Sequence, residues 1–336
     1  MASITDIARA AQCSISTVSY ALSGKRRVNA TTRTRILSAC KRLGYVPNAA
    51  ARGLRTQRTE TIGLLLYPTC AEQFRNIFAG EVIAGVEQAL IAAGYHLLIG
   101  GYRPQVQERG VPAFMGQGRV DGVILLGGYP GEILDHLHAA AVPLLLLDSI
   151  SDHLPIDCVT TEGFSAGRQA VDHLVAKGHR RMIMLGYALD GYNARLRRQG
   201  FMDGIRHHRL GSPERAVIAT FVDHDDGYAL LCKRLRGAKP PTALFCENDT
   251  LARTMIERLQ RDGIEVPGAL SVIGFNDDAD AQAVVPGLTT FRIDRQGLGR
   301  AGAQILLERI AGGPAAANVK RRLPVTLVER ASVSAR

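Results

Sequence analysis

Short apolar runs alternate with amphipathic helical patterns along the chain from residue 60 onward. The apolar runs occupy 62–66, 96–99, 123–126, 144–147, 182–185, 217–219, 243–246 and 272–275. Helical patterns lie between them at 83–93, 164–177, 193–208 and 250–262, and glycines 94, 178 and 263 follow three of these segments, as glycine commonly does at a helix C-terminus. This alternation predicts an α/β domain of two Rossmann-like lobes, with parallel sheets covered by helices on both faces.

The first 46 residues carry a different pattern, in which short helical segments follow small polar residues that can cap them. The three predicted helices are 6–12 after Thr5, 15–22 after Ser14, and 30–43 between Asn29 and Gly44. On the second helix, Val18, Ala21 and Leu22 share one inward face. The residues left facing outward are Ile15, Ser16, Ser19 and Tyr20. Two short helices joined by a tight turn predict a helix-turn-helix, an all-α headpiece whose second helix enters the major groove of DNA.

The segment after the headpiece is predicted to be a hinge. Residues 45–48 (Tyr-Val-Pro-Asn) break the chain, and 49–55 have the pattern of one more short helix. Gly53 weakens that helix by about 1 kcal/mol relative to alanine. Such a short helix is marginal alone, so we expect it to fold only on binding, which suits a switch.

The basic charge of the chain is concentrated in its first 58 residues. That segment holds eleven lysines and arginines against the single acid Asp6, a net +10 that equals the formal charge of the whole chain. The remaining residues balance to zero. A basic module on a neutral body is typical of proteins that bind double-stranded DNA through its phosphates.

Other classes of protein lack support in the sequence. The six cysteines are scattered without a C-x-x-C pair, so neither a disulfide framework nor a zinc site is predicted. No apolar run is long enough to cross a membrane, and the N-terminus does not resemble a signal peptide, which together favour the cytoplasm. Acids at 223–226 suit the start of a helix better than a metal site. Phosphate-loop, serine-hydrolase and zinc-protease motifs are absent, so no cofactor and no enzyme activity are expected.

An ordered series of motifs identifies a family resemblance. The series is T-D-I-A at 5–8, S-T-V-S at 16–19, G-Y-V-P-N at 44–48, A-R-G-L at 51–54 and T-I-G at 61–63. Taken together it resembles the lac repressor/galactose repressor family. That resemblance implies a ligand-controlled transcription repressor, acting as a homodimer on a pseudo-palindromic operator, with a sensor like the periplasmic sugar-binding proteins.

The resemblance also assigns roles in DNA binding. Base-reading positions fall on Ile15, Ser16 and Tyr20. Phosphate contacts are implied for Thr5, Ser14, Thr17, Ser19, Asn29 and Thr32. Ala51, Leu54 and Arg55 match the hinge that enters the minor groove, with Leu54 as the wedge that kinks the operator. Many family members have arginine where this chain has Tyr20; packing on the third helix is the alternative for its ring.

The ends of the predicted strands carry aromatic rings, amides and carboxylates, which suit a polyhydroxylated ligand. By the resemblance, the effector-binding residues are Phe78, Asp148, Arg197, Asn248 and Asn276. Asn276 stands where the family's V-x-G-F-D-D motif has its first aspartate. Together with Arg197 and Arg198 this leaves an anionic sugar acid or sugar phosphate open beside a neutral sugar or nucleoside-like ligand. Asp249 and Asp277 are expected to cap helices or brace turns.

The predicted domains are a helix-turn-helix at 1–46, a hinge at 47–59 and an effector and dimerisation domain at 60–336. Within the last, one lobe comprises about 60–159 and 289–320, and the other about 160–288 and 321–336. The alternative interpretation is a sugar-binding protein without a role at DNA, since its sensor would have the same pattern. The basic headpiece argues against that alternative.

Overall fold

The computed structural model describes residues 2–23, 26–45, 58–67, 77–102, 111–187, 191–220, 224–312 and 317–336. The chain divides into two compact units, Met1–Glu60 and Thr61–Arg336. The predicted hinge residues Ala51, Leu54 and Arg55 lie outside the described residues.

The headpiece unit contains three helices around a small apolar core. They are α1 (Ile4–Ala10), α2 (Ile15–Ser23) and α3 (Ala30–Leu43). Ile7, Val18 and Ile36, one from each helix, are fully buried together. The predicted helix-turn-helix is therefore confirmed within this unit.

The caps of these helices follow the sequence with one correction. Asn29 accepts a hydrogen bond from the Thr31 amide at the start of α3, and Gly44 ends that helix with φ of 60°, both as predicted. The predicted cap Thr5 is wrong, because Ser3 caps α1. The Ser3 side chain accepts from the Asp6 amide, and the Asp6 carboxylate accepts from the Ser3 amide. This reciprocal pair satisfies two amides at once and moves the start of the helix two residues earlier.

The second unit contains two lobes of alternating strands and helices. The first lobe begins with β1 (Thr61–Leu66), α4 (Ile77–Ala92), β2 (His96–Gly101), α5 (Ala113–Gly116), β3 (Gly122–Leu126), α6 (Gly131–Ala139), β4 (Leu144–Leu147) and β5 (Asp157–Thr161). The second lobe follows with α7 (Gly163–Ala176), β6 (Met182–Tyr187), α8 (Tyr192–His207), a 3-10 turn at Glu214–Ala216, β7 (Val217–Thr220), α9 (His224–Leu235), β8 (Ala243–Cys246), α10 (Asp249–Arg261), β9 (Ser271–Ile273), α11 (Ala279–Ala283) and β10 (Thr290–Ile293). The chain then forms α12 (Arg295–Gly312), β11 (Lys320–Leu323) and β12 (Val325–Val328).

Each lobe has its own parallel sheet. The first has the strand order β11-β5-β4-β3-β1-β2, and the second has the order β7-β6-β8-β9. The pair β10–β12 is antiparallel and adjoins β9 through single bridges at Ile273–Thr289 and Asn276–Arg292. The predicted fold of two Rossmann-like lobes is confirmed.

Strand pairing places the crossings between lobes a few residues away from the predicted ones. β5 and β11 pair with each other from Lys320–Cys158 to Leu323–Thr161, so both belong wholly to the first sheet. β10 contributes Phe291 and Ile293 to the core of the second lobe. The crossings therefore follow Thr161, Ile293 and Leu323, rather than lying near 160, 289 and 321.

A pair of crossed helices covers each lobe at unusually short range. In the first lobe, a Cβ on Gly85 of α4 would lie 2.1 Å from the Gln296 carbonyl oxygen of α12, and a Cβ on Gly299 would lie 2.1 Å from that of Val82. In the second lobe, a Cβ on Gly167 of α7 would lie 2.1 Å from the Arg197 carbonyl oxygen of α8. These glycines let two backbones touch. No helix within the described residues is long and apolar enough to span a membrane.

Candidate DNA-reading surface and effector site

Helix α2 presents the predicted base-reading residues on its outer face. Ile15 is 48% exposed although it is a large apolar side chain, Ser16 is exposed, and Tyr20 is half-buried. The guanidinium of Arg26 lies 5.5 Å from the centre of the Tyr20 ring. The Tyr20 ring therefore has a contact with a cation in addition to any packing on α3.

Five of the six predicted phosphate-binding residues lie in or directly before the first turn of a helix, and Ser19 lies in the middle of α2. The Ser14 hydroxyl caps α2 by accepting from the Thr17 amide, and it is 2.8 Å from the Thr17 hydroxyl. Thr5, Ser14 and Asn29 are exposed, and Thr17, Ser19 and Thr32 are half-buried. The exposed hydroxyls and amides at helix N-termini suit phosphate oxygens, because the positive ends of helix dipoles point there.

Arg197 is the centre of the candidate effector site. It lies on α8, is 7% exposed, and its guanidinium carbon is 3.6 Å from the centre of the Phe275 ring. Nη1 donates to the Glu247 carbonyl oxygen at 2.8 Å, whereas Nε has no partner among the described residues. Burial lowers the pKa of Arg197, and four carboxylates oppose that effect: Asp148, Glu247, Asp249 and Asp278.

Asp148 and Asn193 join the two lobes beside Arg197. Asp148 follows β4 in the first lobe with φ of 61°, and Asn193 Nδ2, from α8 in the second, donates to its carbonyl oxygen at 2.8 Å. Enclosure raises the pKa of the Asp148 carboxyl to about 6, and the charge of Arg197 and a hydrogen bond from the Asn193 side chain only partly offset the rise. The Oδ1 atoms of both Asp148 and Asn193 are enclosed without a partner among the described residues. Buried oxygens without partners are costly, and a ligand with donor groups would satisfy them.

The end of β8 is braced rather than open. The Oδ1 atom of Asn248 accepts from the Leu251 amide and so caps α10, which leaves its amide nitrogen for other partners. Glu247 accepts from the Tyr187 amide at 2.8 Å. Asp249 is fully buried and accepts from the Thr290 hydroxyl and the Asp278 amide, as its predicted bracing role requires.

The loop after β9 is held by three arginines. Asn276 and Asp277 both have positive φ, 116° and 56°. Hydrogen bonds from Arg330 and Arg292 lower the pKa of Asp277 even though burial raises it. Arg295 donates to the Asn276 carbonyl oxygen at 2.7 Å, so the backbone of this residue is fixed.

Arg295 also ties this loop to the first lobe. Its Nη2 atom is 2.6 Å from the Asp278 carboxylate, and its Nη1 atom is 2.9 Å from that of Glu81 on α4. Phe78, at the start of the same helix, packs against the apolar cores of both lobes. The lobe junction is therefore formed by Phe78 and Asp148 from the first lobe, and Asn193, Arg197 and Asn276 from the second.

Glu247 was among the carboxylates predicted at the strand ends, whereas Asn193, Phe275 and Arg295 were not predicted as site residues. Asn193 had a usable signal, since it precedes Arg197 by four residues and so shares a helix face with it. Glu247 forms hydrogen bonds with residues 50 and 60 positions away along the chain, and Arg295 forms one with a residue 214 positions away. No local sequence pattern encodes contacts between such distant residues.

Comparisons with known proteins agree with this architecture. Residues 3–48 match the family model for bacterial regulatory proteins of the lacI family, and 171–333 match that of the periplasmic binding protein-like domain. The HTH-type transcriptional repressor PurR of Haemophilus influenzae is 31% identical over 338 residues, which cover 99% of both chains. The ribose operon repressor of the same species is 31% identical over 92% of each chain.

Solved structures give the same result. A lac repressor dimer bound to operator and the anti-inducer ONPF is 25% identical, with a TM-score of 0.81 over 99% of each chain. A complex of the transcriptional regulator CelR with cellobiose is 26% identical, with a TM-score of 0.74 over 99% of this chain and 100% of that one. The chain therefore belongs to the lacI family of bacterial regulatory proteins, and it is a DNA-binding, ligand-controlled transcription regulator rather than an enzyme.

Proposed function

We propose that this protein is a homodimeric repressor whose affinity for a pseudo-palindromic operator is set by a neutral, polyhydroxylated effector of the sugar or nucleoside class, bound at the lobe junction. The observation that carries the effector proposal is the group of unpartnered buried atoms there: Asp148 Oδ1, Asn193 Oδ1, Arg197 Nε and Arg295 Nε. They offer two acceptors and two donors, which hydroxyl groups can satisfy. Because the target is chromosomal DNA, we place the protein in the cytoplasm.

The charge of the junction favours a neutral effector over an anionic one. Arg197 is surrounded by four carboxylates, and Arg295 already pairs with two, those of Asp278 and Glu81. Burial raises the pKa of both Asp148 and Asp249 to about 6, so ionisation there is already unfavourable. A sugar phosphate or sugar acid would add negative charge to this site, whereas hydroxyls would donate to its carboxylates.

Control of DNA binding would follow from contacts with both lobes. An effector that touches Asp148 in one lobe and Arg197 in the other favours one angle between them over another. We infer that this angle sets the spacing of the two hinge segments in the dimer, and thus whether 49–55 can fold in the minor groove. Such coupling is typically about 1–3 kcal/mol, or roughly 5- to 150-fold in operator affinity.

A thermal-shift screen of the full chain tests the effector proposal. Sugars, nucleosides, sugar acids and sugar phosphates are compared, and a neutral compound is expected to raise the Tm. Arg197→Ala is expected to abolish the shift while operator binding persists. The matched control is Arg195→Ala on the same helix, whose exposed side chain lies 3.7 Å from Asp152.

Two results would contradict the proposal. Stabilisation by anionic compounds alone would overturn the neutral class, and a normal shift in Arg197→Ala would remove Arg197 from the site. Titration of the active compound against operator binding then shows whether it releases or recruits the protein.

A further inference from the structure

A cavity lies on the second lobe at the end of its sheet where the strands begin. The lobe junction lies at the opposite end, where the strands finish. The lobe junction receives residues that follow the ends of β8 and β9, whereas this cavity is lined by residues that precede the strands. Arg181 immediately precedes β6, and Thr242 immediately precedes β8. The cavity has a volume of about 520 Å³, within the range of sites for small organic molecules. Because it shares no lining residue with the junction, its function is a separate question.

Basic side chains dominate the wall of this cavity. Arg181, Arg236 and Arg336 line it, together with the side-chain carboxylate of Asp262. That carboxylate already accepts a hydrogen bond from the Tyr228 hydroxyl at 2.6 Å. Since none of the three arginines forms an ion pair with it within the described residues, the wall keeps a net positive charge.

Hydrogen bonds to the backbone orient two of the three guanidinium groups. Arg181 donates from Nε to the Pro240 carbonyl oxygen at 2.8 Å. Arg336 donates from Nη2 to the carbonyl oxygens of Gly268 and Ala269. Arg236 makes no side-chain hydrogen bond within the part of the chain that the structure describes. Most N–H groups of the three side chains are therefore left for an incoming anion.

Most of the rest of the cavity wall is apolar. Leu235 and Ile264 pack on the core of the second lobe and expose part of their side chains here, beside Pro240 and Pro241. A flat ring could bury its faces against these side chains, as the hydrophobic walls of ligand sites commonly allow. Guanidinium groups match the paired oxygens of phosphates and carboxylates geometrically.

We propose that this cavity is a second ligand site, for an anion in which a phosphate or carboxylate is attached to a flat ring system of nucleotide size. The anionic group pairs with Arg181 and Arg236, and the ring lies against Leu235 and Ile264. The site goes beyond the effector site, and its occupancy does not depend on that assignment.

Calorimetric titration of the full chain at low salt tests the proposal with four probes: AMP, 2-naphthoate, adenosine and inorganic phosphate. At least one of the two ring-bearing anions is expected to bind. Adenosine and phosphate are expected to bind at least tenfold more weakly, because adenosine lacks the anionic group and phosphate lacks the ring. Arg236→Ala and Arg181→Ala are each expected to weaken binding by about tenfold or more. Arg234→Ala removes the same charge two residues before Arg236, from the last turn of α9, at a position that does not line the cavity, and this variant is expected to bind as the native chain does.

The outcomes are distinguishable from those of the effector proposal. Arg197→Ala is expected to leave the binding of these anions unchanged. If the variant no longer bound them, the probe would lie at the lobe junction, and the proposal of a second site would be overturned. Absence of binding by both ring-bearing anions, or equal binding by Arg236→Ala and Arg234→Ala, would overturn it as well.

Discussion

At the scale of single residues, two carboxyl groups in the second unit are buried with different degrees of support. The pKa of both Asp148 and Asp249 is raised to about 6, chiefly by burial. Asp249 accepts hydrogen bonds from Thr290 and from the Asp278 amide, whereas Asp148 Oδ1 has no partner among the described residues. Asp148 is thus the carboxylate that an effector would stabilise, and without one its charge costs free energy.

The pH dependence of stability should report this cost. The pKa of an aspartate in the unfolded chain is about 3.9, and that of folded Asp148 is about 6. Between these values the folded state binds more protons than the unfolded state, so the contribution of Asp148 to stability falls as pH rises from about 4 to 6. Asp148→Asn should remove this fall and raise the free energy of unfolding at pH 7.5 by about 1–3 kcal/mol. Urea unfolding at pH 4.5 and 7.5 measures the effect.

Asp152→Asn is the control for that experiment, because Asp152 is exposed and lies in the same loop. Its unfolding should change little between the two pH values relative to the native chain. If Asp148→Asn keeps the native pH profile, the Asp148 carboxyl is not the enclosed group described above.

Local motifs predicted which residues lie at the lobe junction more accurately than they predicted the role of each residue there. Arg197 was predicted from the family resemblance, because residues 197–201 match the family's R-x-x-G-F element, and the structure buries Arg197 at the junction. Asn248 was predicted to bind the effector, yet its Oδ1 atom caps α10. Asn276 was predicted to bind the effector through its side chain, and the structure shows in addition that its carbonyl oxygen accepts a hydrogen bond from Arg295. A motif specifies a position along the chain, but hydrogen-bond partners come from distant segments and depend on the complete fold.

At the scale of elements, the two helix crossings explain part of the family motif. Gly200 and Phe201 follow Arg197 in the R-x-x-G-F element, and Phe201 is fully buried in the second core. A Cβ on Gly200 would lie 1.9 Å from the Phe164 carbonyl oxygen. The glycine therefore serves the contact between α7 and α8, and this contact sets the position of Arg197.

The equivalent crossing in the first lobe, between α4 and α12, can be tested by a single substitution. Gly299→Ala would bring a methyl group to 2.1 Å from the Val82 carbonyl oxygen, so α4 and α12 must separate. We expect a loss of about 1–3 kcal/mol in the free energy of unfolding, because backbone atoms cannot yield as side chains do. Gly312→Ala on the same helix has no atom within 4 Å of the new methyl and should be neutral or stabilising. Equal urea midpoints for the two variants would show that α4 and α12 can accommodate a methyl group at position 299 and are not in such close contact.

The strands that the sequence predicted are those with continuous apolar runs. β5 (Asp157–Thr161) was missed because its polar residues suggest a loop, although every residue in it is buried. β11 (Lys320–Leu323) was missed because it lies at a sheet edge and three of its four residues are exposed. Both strands end where the chain crosses between the lobes, at Thr161 and Leu323.

At the scale of the whole molecule, charge and binding are divided between the two units. The segment 1–58 carries the entire net charge of +10, and the remaining chain is neutral. Attraction to phosphates therefore comes from the headpiece and hinge and is independent of DNA sequence. Sequence preference comes instead from contacts with the bases, which are made by Ile15, Ser16, Tyr20 and the hinge wedge in the proposed assignment.

Leu54→Ala separates these two contributions. Leucine carries no charge, so its loss should leave binding to unrelated DNA, and the dependence of binding on salt, nearly unchanged. Binding to an operator selected from random duplexes should weaken by about tenfold or more, because the wedge that supports the kink is lost. Arg55→Ala should instead reduce the slope of log affinity against log salt by about one phosphate contact. Leu37→Ala makes the same substitution at a 49% exposed position on α3 and should leave both affinities within about twofold. Fluorescence anisotropy with the operator and a scrambled duplex of equal length gives the ratio, and an equal loss on both duplexes in Leu54→Ala would show that Leu54 is not the wedge.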